Sequence, residues 1–339
     1  MKKPLLVILV TVSFLACKKK KDIPDVSAIK VDLVVERFDR NFFLIDTTIP
    51  LIPQLQRLRQ QHPDFYNDFM QEILGVNGSP DDVNTVMVTR QFLSGYSSIY
   101  DSLKPTFNNL ASLRKGLTNA FQFVKYYFPN YKNGKVILFV GPFDAPGVAS
   151  TASGLAIGLQ QFAGKNFFVY QTIQAQELFP LYISRRFSPE YIVPNCMKAV
   201  ALELFPDQSS GKPLIEQMIE KGKQWWLLDK FLPLTADSLK TGFTQQQLDW
   251  CNENEGQIWS DLIKNEDLNS LSPTVIQTYI GEGPFTQGFS QEYSPGNLGQ
   301  WIGWQIIQKF AGKNPDMKPA EIMQTPARKI LEEAKYKPK

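Results

Sequence analysis

Val136-Ile137-Leu138-Phe139-Val140, closed by Gly141-Pro142, is the stretch that decides the fold. Five apolar residues between breakers are too few for a helix, and they leave no polar face for solvent. Such a run predicts a strand covered on both sides, as in the middle of a sheet packed between other layers. Leu155-Ala156-Ile157-Gly158-Leu159 predicts a second strand beside it. The intervening Pro142-Phe143-Asp144-Ala145-Pro146-Gly147 predicts a loop held in a turn by its prolines and glycine. Upstream, Val31 to Phe38 is rich in β-branched and apolar residues and predicts a third strand.

Outside these segments (31–38, 136–141 and 154–159) the pattern is helical. Leu51, Ile52, Leu55 and Leu58 follow the 3.6-residue period, and similar patterns recur at 83–99 and 107–128. After Pro213, the residues Leu214, Ile215, Met218, Ile219, Gly222, Trp225 and Trp226 share one helix face, with Glu216, Gln217, Glu220 and Gln224 away from it; Pro233 ends the pattern. Gln245 to Ile263 predicts another helix. Ser294-Pro295-Gly296 opens a further one, in which Trp301, Ile302, Trp304, Ile306, Ile307 and Phe310 leave almost no polar side, so it belongs in the interior. The expected class is α+β, predominantly helical with a small mixed sheet. No internal repeat or long Gly/Ser or Pro linker divides the chain, which predicts a single domain over 30–339.

The N-terminus has a separate logic. Met1-Lys2-Lys3 precede an apolar run from Leu5 to Ala16 that stops at Cys17. Two lysines, a short apolar core and a small residue before the stop are the parts of a secretory signal. Phe14-Leu15-Ala16-Cys17 reads as a lipobox, so residues 1–16 are expected to be removed and the Cys17 thiol diacylated. Residues 17–29 then form a lipidated flexible tether. The formal charge of +3 becomes +1 without Lys2 and Lys3, and −3 once Lys18 to Lys21 are also set aside. The basic balance thus belongs to the targeting segment and gives no sign of nucleic-acid binding. Those four lysines either lie on anionic headgroups or form a solvated linker. Beyond Cys17, Cys196 and Cys251 either pair in an oxidising compartment or stay as buried free thiols.

Supply excludes much chemistry. The chain has one histidine, His62, expected at the surface end of an early helix before Pro63. A Ser-His-Asp triad would have to use it, and no Gly-x-Ser-x-Gly elbow presents a serine. Histidine-rich zinc sites need two or three imidazoles, and cysteine-only sites are equally short of ligands. Asp249 to Ser260 has oxygens but not the calcium-loop spacing. No phosphate-binding glycine loop or dinucleotide fingerprint occurs. Carboxylate pairs (Asp81 with Asp82, Glu253 with Glu255, Glu282 with Glu292) read mainly as exposed loop charge. Trp225, Trp226, Trp301 and Trp304 read as core packing, with a sugar- or peptide-binding groove as the alternative. No catalytic, cofactor-binding or metal residue is assigned.

Leu181-Tyr182-Ile183-Ser184-Arg185-Arg186-Phe187-Ser188-Pro189-Glu190-Tyr191-Ile192-Val193-Pro194 and Ser294-Pro295-Gly296-Asn297-Leu298-Gly299-Gln300-Trp301-Ile302-Gly303-Trp304-Gln305-Ile306 carry a family resemblance, joined by Pro213 to Gly222 and the ending Lys335 to Lys339. The chain resembles the GldB family of gliding-motility lipoproteins over nearly all its expected mature length. The resemblance implies a role in bacterial gliding beside the type IX secretion machinery, with other gliding proteins as partners. The family is also distantly similar to zincin-type peptidases, which carry His-Glu-x-x-His on a helix and an acidic ligand ahead of a later glycine. Here the corresponding helix, Asn195 to Glu203, lacks histidine, and Lys221 stands before Gly222. The resemblance therefore implies a zincin-like scaffold without its metal. Surface-exported lipoproteins of gliding bacteria resemble one another in acidic residues after the cysteine; lysines stand there instead, so the protein is expected to face the periplasm.

The resulting expectation is a non-enzymatic, lipid-anchored periplasmic protein required for gliding, acting through protein contacts. The alternative is an envelope hydrolase of peptide or glycan that uses carboxylates, with Glu203 as first candidate. A cell-wall-binding module would need an exposed aromatic patch, against which the core assignment of the tryptophans argues.

Overall fold

The computed structural model describes residues 23–339; the signal segment, Cys17 and the Lys18–Lys21 run lie outside the described residues. The sheet has four strands: β1 (Val35–Arg37), β2 (Lys135–Phe139), β3 (Val148–Thr151) and β4 (Gly154–Gly158), in the order β1-β2-β4-β3. β1, β2 and β4 are parallel, and β3 closes the far edge antiparallel to β4. Side chains alternate across a strand, and here the alternation separates two cores. Val136, Leu138, Leu155 and Ile157 face the main helical body, while Ile137, Phe139 and Ala156 face a cluster built from the N-terminal third. That two-sided burial is why the run at 136–140 is apolar at every position.

The smaller core is aromatic. Phe38, Phe42, Phe65 and Phe69 are all at most 2% exposed, and Phe69 lies 4.8 Å from Phe38 and 6.1 Å from Phe139 between ring centroids. Each such ring contributes about 2 kcal/mol by leaving water. This cluster explains a shortfall in the first strand. The 31–38 segment was expected to be strand throughout, yet pairing covers only Val35–Arg37 and Phe38–Phe42 turns helical. The helical turn puts Phe38 and Phe42 on one side, where both enter the core, and Arg37 ties off the strand end on buried Asp39 at 2.6 Å.

Among the described residues the helices of eight or more residues are α1 (Ile52–Gln61), α2 (Val83–Phe107), α3 (Ala111–Tyr127), α4 (Ile192–Leu204), α5 (Leu214–Phe231), α6 (Gln245–Glu253), α7 (Glu255–Asn265), α8 (Pro273–Ile280), α9 (Leu298–Lys313) and α10 (Ala327–Ala334). α2 outruns the expected 83–99 because Pro105 is accommodated inside its last turn. The helix expected over 245–263 is two, joined at Asn254, whose amide folds back on the Trp250 carbonyl at 2.8 Å. α5 and α9 form the centre of the body. A Cβ on Gly303 would lie 1.7 Å from the Met218 carbonyl oxygen, and one on Gly222 2.1 Å from the Gly303 carbonyl carbon. The two backbones therefore touch, and the tryptophans pack around the crossing: Trp225, Trp226, Trp301 and Trp304 are all buried.

The expected tether is taken up by the body in its described part. Val26 is buried, and Gln122 on α3 donates to the Ile29 carbonyl at 3.0 Å. β3 was not anticipated, since Val148-Ala149-Ser150-Thr151 carries half its residues polar at a half-buried edge. Among the described residues no helix is long and apolar enough to cross a membrane.

Candidate functional site

The two segments that carry the family resemblance meet at one small cleft of about 40 Å³. Tyr182, Arg185 and Arg186 enter it from the first segment, and Pro295 and Gly296 from the second, just ahead of α9. The loop after α8 brings Glu282 and Gly283. These loops are pressed together: a Cβ on Gly296 would stand 2.2 Å from the Gly283 carbonyl oxygen.

Two consecutive guanidinium groups dominate the cleft. A short helix, Leu181–Ser184, ends at Arg185, whose Nη2 donates to the Gly242 carbonyl at 2.7 Å and to Gln247 Oε1 at 3.5 Å. Arg186 forks onto Glu282, Nη1 to Oε1 at 3.3 Å and Nη2 to Oε2 at 3.1 Å. Gly242 makes both placements possible. It ends the Asp237–Thr241 helical turn at φ 81°, and an added Cβ would sit 2.8 Å from Arg186 Nη1. A side chain there would meet both backbone strain and a clash.

Lys198 on α4 is half-buried and is not among the residues that line the cleft. Among the described residues it makes no hydrogen bond and no ion pair. Its ammonium is pushed down to about 8, first by burial and then by Arg186, with Glu282 opposing the shift. Burial first, then the neighbouring Arg186, also pushes Arg185 downward. Tyr191, at the start of α4, is raised by burial, and the two arginines counteract that rise. Two arginines thus stand in the cleft with one carboxylate, whose own side chain is 51% exposed. Fixed positive charge in a partly dry recess recognises anions, and Arg forks suit planar or tetrahedral oxyanions in particular.

The residues singled out from sequence lie elsewhere. His62 does end a helix, α1, but it is not at the surface: it is 5% exposed under the edge of Phe38. Asn41 contacts its Nε2 at 2.8 Å, and Nδ1 faces Glu36 at 3.3 Å, a bracing role between β1 and α1. Glu203 accepts from Tyr131 at 3.3 Å at the rim of a shallow hollow in which no second carboxylate takes part. Lys221 pairs with Asp207 at 2.5 Å. The zincin-like expectation is not supported, because these helix positions serve separate surface contacts. Among the described residues no group of three or more His, Cys, Asp or Glu is placed to hold a metal ion. Of the carboxylate pairs, Asp82 caps α2 through the Thr85 amide at 2.8 Å, Asp81 takes the Ser79 hydroxyl, Glu255 takes the Tyr336 hydroxyl, and Glu282 belongs to the cleft. Cys196 and Cys251 are both buried free thiols.

Sequence reasoning did not mark Arg185, Arg186 or Lys198 as functional. Their signal was present: a consecutive arginine pair and, twelve residues after it, a lysine inside the otherwise apolar run Cys196 to Leu202. A family model described as gliding motility protein GldB matches residues 19–338, while no curated protein and no solved structure matches. Matched over nearly its whole length, the chain belongs to the gliding motility protein GldB family.

Proposed function

We propose that the protein is a lipid-anchored component of the gliding apparatus, held on the periplasmic side through Cys17 and contributing by recognition rather than by turnover. The observation that carries the recognition reading is the meeting of Arg185 and Arg186 at one cleft, where the Glu282 carboxylate is already engaged by Arg186. The lipobox Phe14-Leu15-Ala16-Cys17 supports the anchor. Val26, which is buried, lies nine positions beyond Cys17, and nine extended steps reach about 30 Å at most. An acylated Cys17 would thus hold the body close to the bilayer.

Replacing Cys17 tests the anchor. A Cys17→Ala chain is expected to leave the membrane fraction and to reduce colony spreading, and full spreading from a soluble chain would remove anchoring from the role. Glu203→Gln tests the hydrolase alternative. Spreading at the wild-type rate is expected, because the hydrogen bond Glu203 makes among the described residues is with the Tyr131 hydroxyl; lost spreading with an intact fold would restore the enzyme reading.

A further inference from the structure

We propose that the end of the body holding Ile23 and the loop between α3 and β2 rests on the phospholipid bilayer, which fixes the orientation of the whole protein. The proposal rests on the anchor reading above and adds which surface the membrane meets.

Reach is the first argument. The chain is pinned to the body from its first described residues. Val26 is buried, its carbonyl takes the Ile29 amide at 3.0 Å, and the Ile29 carbonyl takes Gln122 of α3 at 3.0 Å. Ile23 and Pro24 already wall a hollow of about 490 Å³, together with Tyr127, Trp226, Lys230 and Ala311. From Cys17 to Ile23 is six positions, and six extended steps span about 20 Å at most. A compact body of this size is about 50 Å across. An acylated Cys17 therefore brings the bilayer to the side that holds Ile23 and cannot bring it to the opposite side.

The chemistry of that side is the second argument. Tyr127 also borders a second hollow with Pro129, Tyr131 and Lys132, and the same loop borders a third beside Lys125 and Val34. The three adjoin at the N-terminal ends of the strands, where Asn133 donates to the Asp32 carbonyl at 2.8 Å. Leu234, 78% exposed, follows Pro233 at the rim of the first hollow, and Tyr126, 47% exposed, stands edge-on to Tyr127. Lys230 lies over the Trp226 ring at 4.9 Å. Aromatic rings with a polar tip, and lysines whose stems lie on apolar surface, suit the boundary between water and lipid. Charge agrees. Lys125 and Lys132 are balanced by Asp32 and Glu203 on this side, and Asp229 is taken up by Lys240 and by the Trp304 indole at 2.9 Å. The excess comes from Lys18 to Lys21, set against one carboxylate at Asp22, and is opposite in sign to anionic headgroups.

The far end supplies the contrast. Phe168, Ile173 and Leu178 are exposed there, on the segment that Tyr170 fastens to the body. The Tyr170 hydroxyl donates to the Gln160 carbonyl at 2.6 Å, and its ring lies 6.2 Å from Phe143. Gln160 and Phe143 follow the C-terminal ends of β4 and β2, a full sheet length from the loop before β2. Apolar area alone would seat this end on lipid; reach forbids it and leaves it facing away from the membrane.

Nitroxide labels on the full-length acylated chain, in vesicles of phosphatidylethanolamine and phosphatidylglycerol, test the orientation at Leu234→Cys, Tyr126→Cys and Leu178→Cys. Cys196 and Cys251 are buried and Cys17 carries the lipid, so each label reports the introduced thiol. Collision rates are read with lipid-soluble oxygen and with a water-soluble nickel chelate. The oxygen-to-nickel ratio is expected to be higher at 234 and 126 than at 178, by about threefold or more. All three side chains are exposed, so the substitutions leave the core intact, and each labelled chain is compared with the wild type by circular dichroism. Equal ratios at the three sites, in a chain that floats with the vesicles, overturn the proposal and leave the anchor standing. A higher ratio at 178 also overturns it. A chain that does not float with the vesicles removes the anchor and this orientation with it.

Discussion

At the scale of single residues, Lys198 carries a cost that can be measured. Burial lowers its pKa from 10.5 to about 8, so the folded chain holds this proton less tightly than the unfolded chain does. The unfolded state therefore binds more protons between those values, and the stability linked to Lys198 grows as pH rises through about 8 and is complete above about 10.5. Lys198→Met should accordingly be the more stable protein at pH 7, by about 1 kcal/mol, with the advantage shrinking as pH climbs from 8 to 10. Paired thermal melts across that range would show it, and a constant gap would contradict the assignment. The buried thiols give a second check. Burial pushes both Cys196 and Cys251 up and keeps the thiolate scarce. Neither should alkylate in the folded protein and both should in urea, with two labels gained and no prior reduction. Lys198 was hard to find from sequence for a physical reason: a lysine in an apolar helix looks the same whether its ammonium escapes to solvent or is desolvated near another cation.

Elements were more legible than sites. The apolar run at 136–140 and the 3.6-residue faces of α5 and α9 each reflect burial that is local in sequence, so strand, helix and core were readable in advance. What escaped was set by distant partners. Phe38 ends β1 because an aromatic cluster from residues 38–92 claims it, and β3 exists only because β4 offers it a ladder. The crossing of α5 and α9 depends on two glycines meeting backbone to backbone. Gly222→Ala should separate these helices and cost at least about 3 kcal/mol in denaturant unfolding, since the clash is with main chain that has no rotamer to yield. A loss under 1 kcal/mol would mean the helices are free to slide apart. Asp82→Ala removes the side-chain cap of α2 and should cost about 1 kcal/mol, with the cleft unaffected.

At the scale of the whole molecule, one sheet separates an aromatic N-terminal cluster from a larger helical body, and the cleft lies in loops of the larger side. This arrangement explains why the fold class could be read and the site could not. The sheet and the central helices announce themselves by pattern, whereas Arg185, Gly242 and Glu282 come from three stretches spread over nearly a hundred residues, and only packing brings them together. The parallel pairing of Val35 with Val136 has a kinetic consequence. β1 is made first, yet its partner emerges about a hundred residues later, which at ordinary synthesis rates is a delay of about 5 to 20 seconds. For that interval Phe38 and Phe42 have no sheet to lie on, and the closing of so long a loop must come before its reward. The newborn N-terminal third is therefore a sticky, waiting surface, and holding it apart until β2 arrives is the task that any chaperone of this chain would inherit.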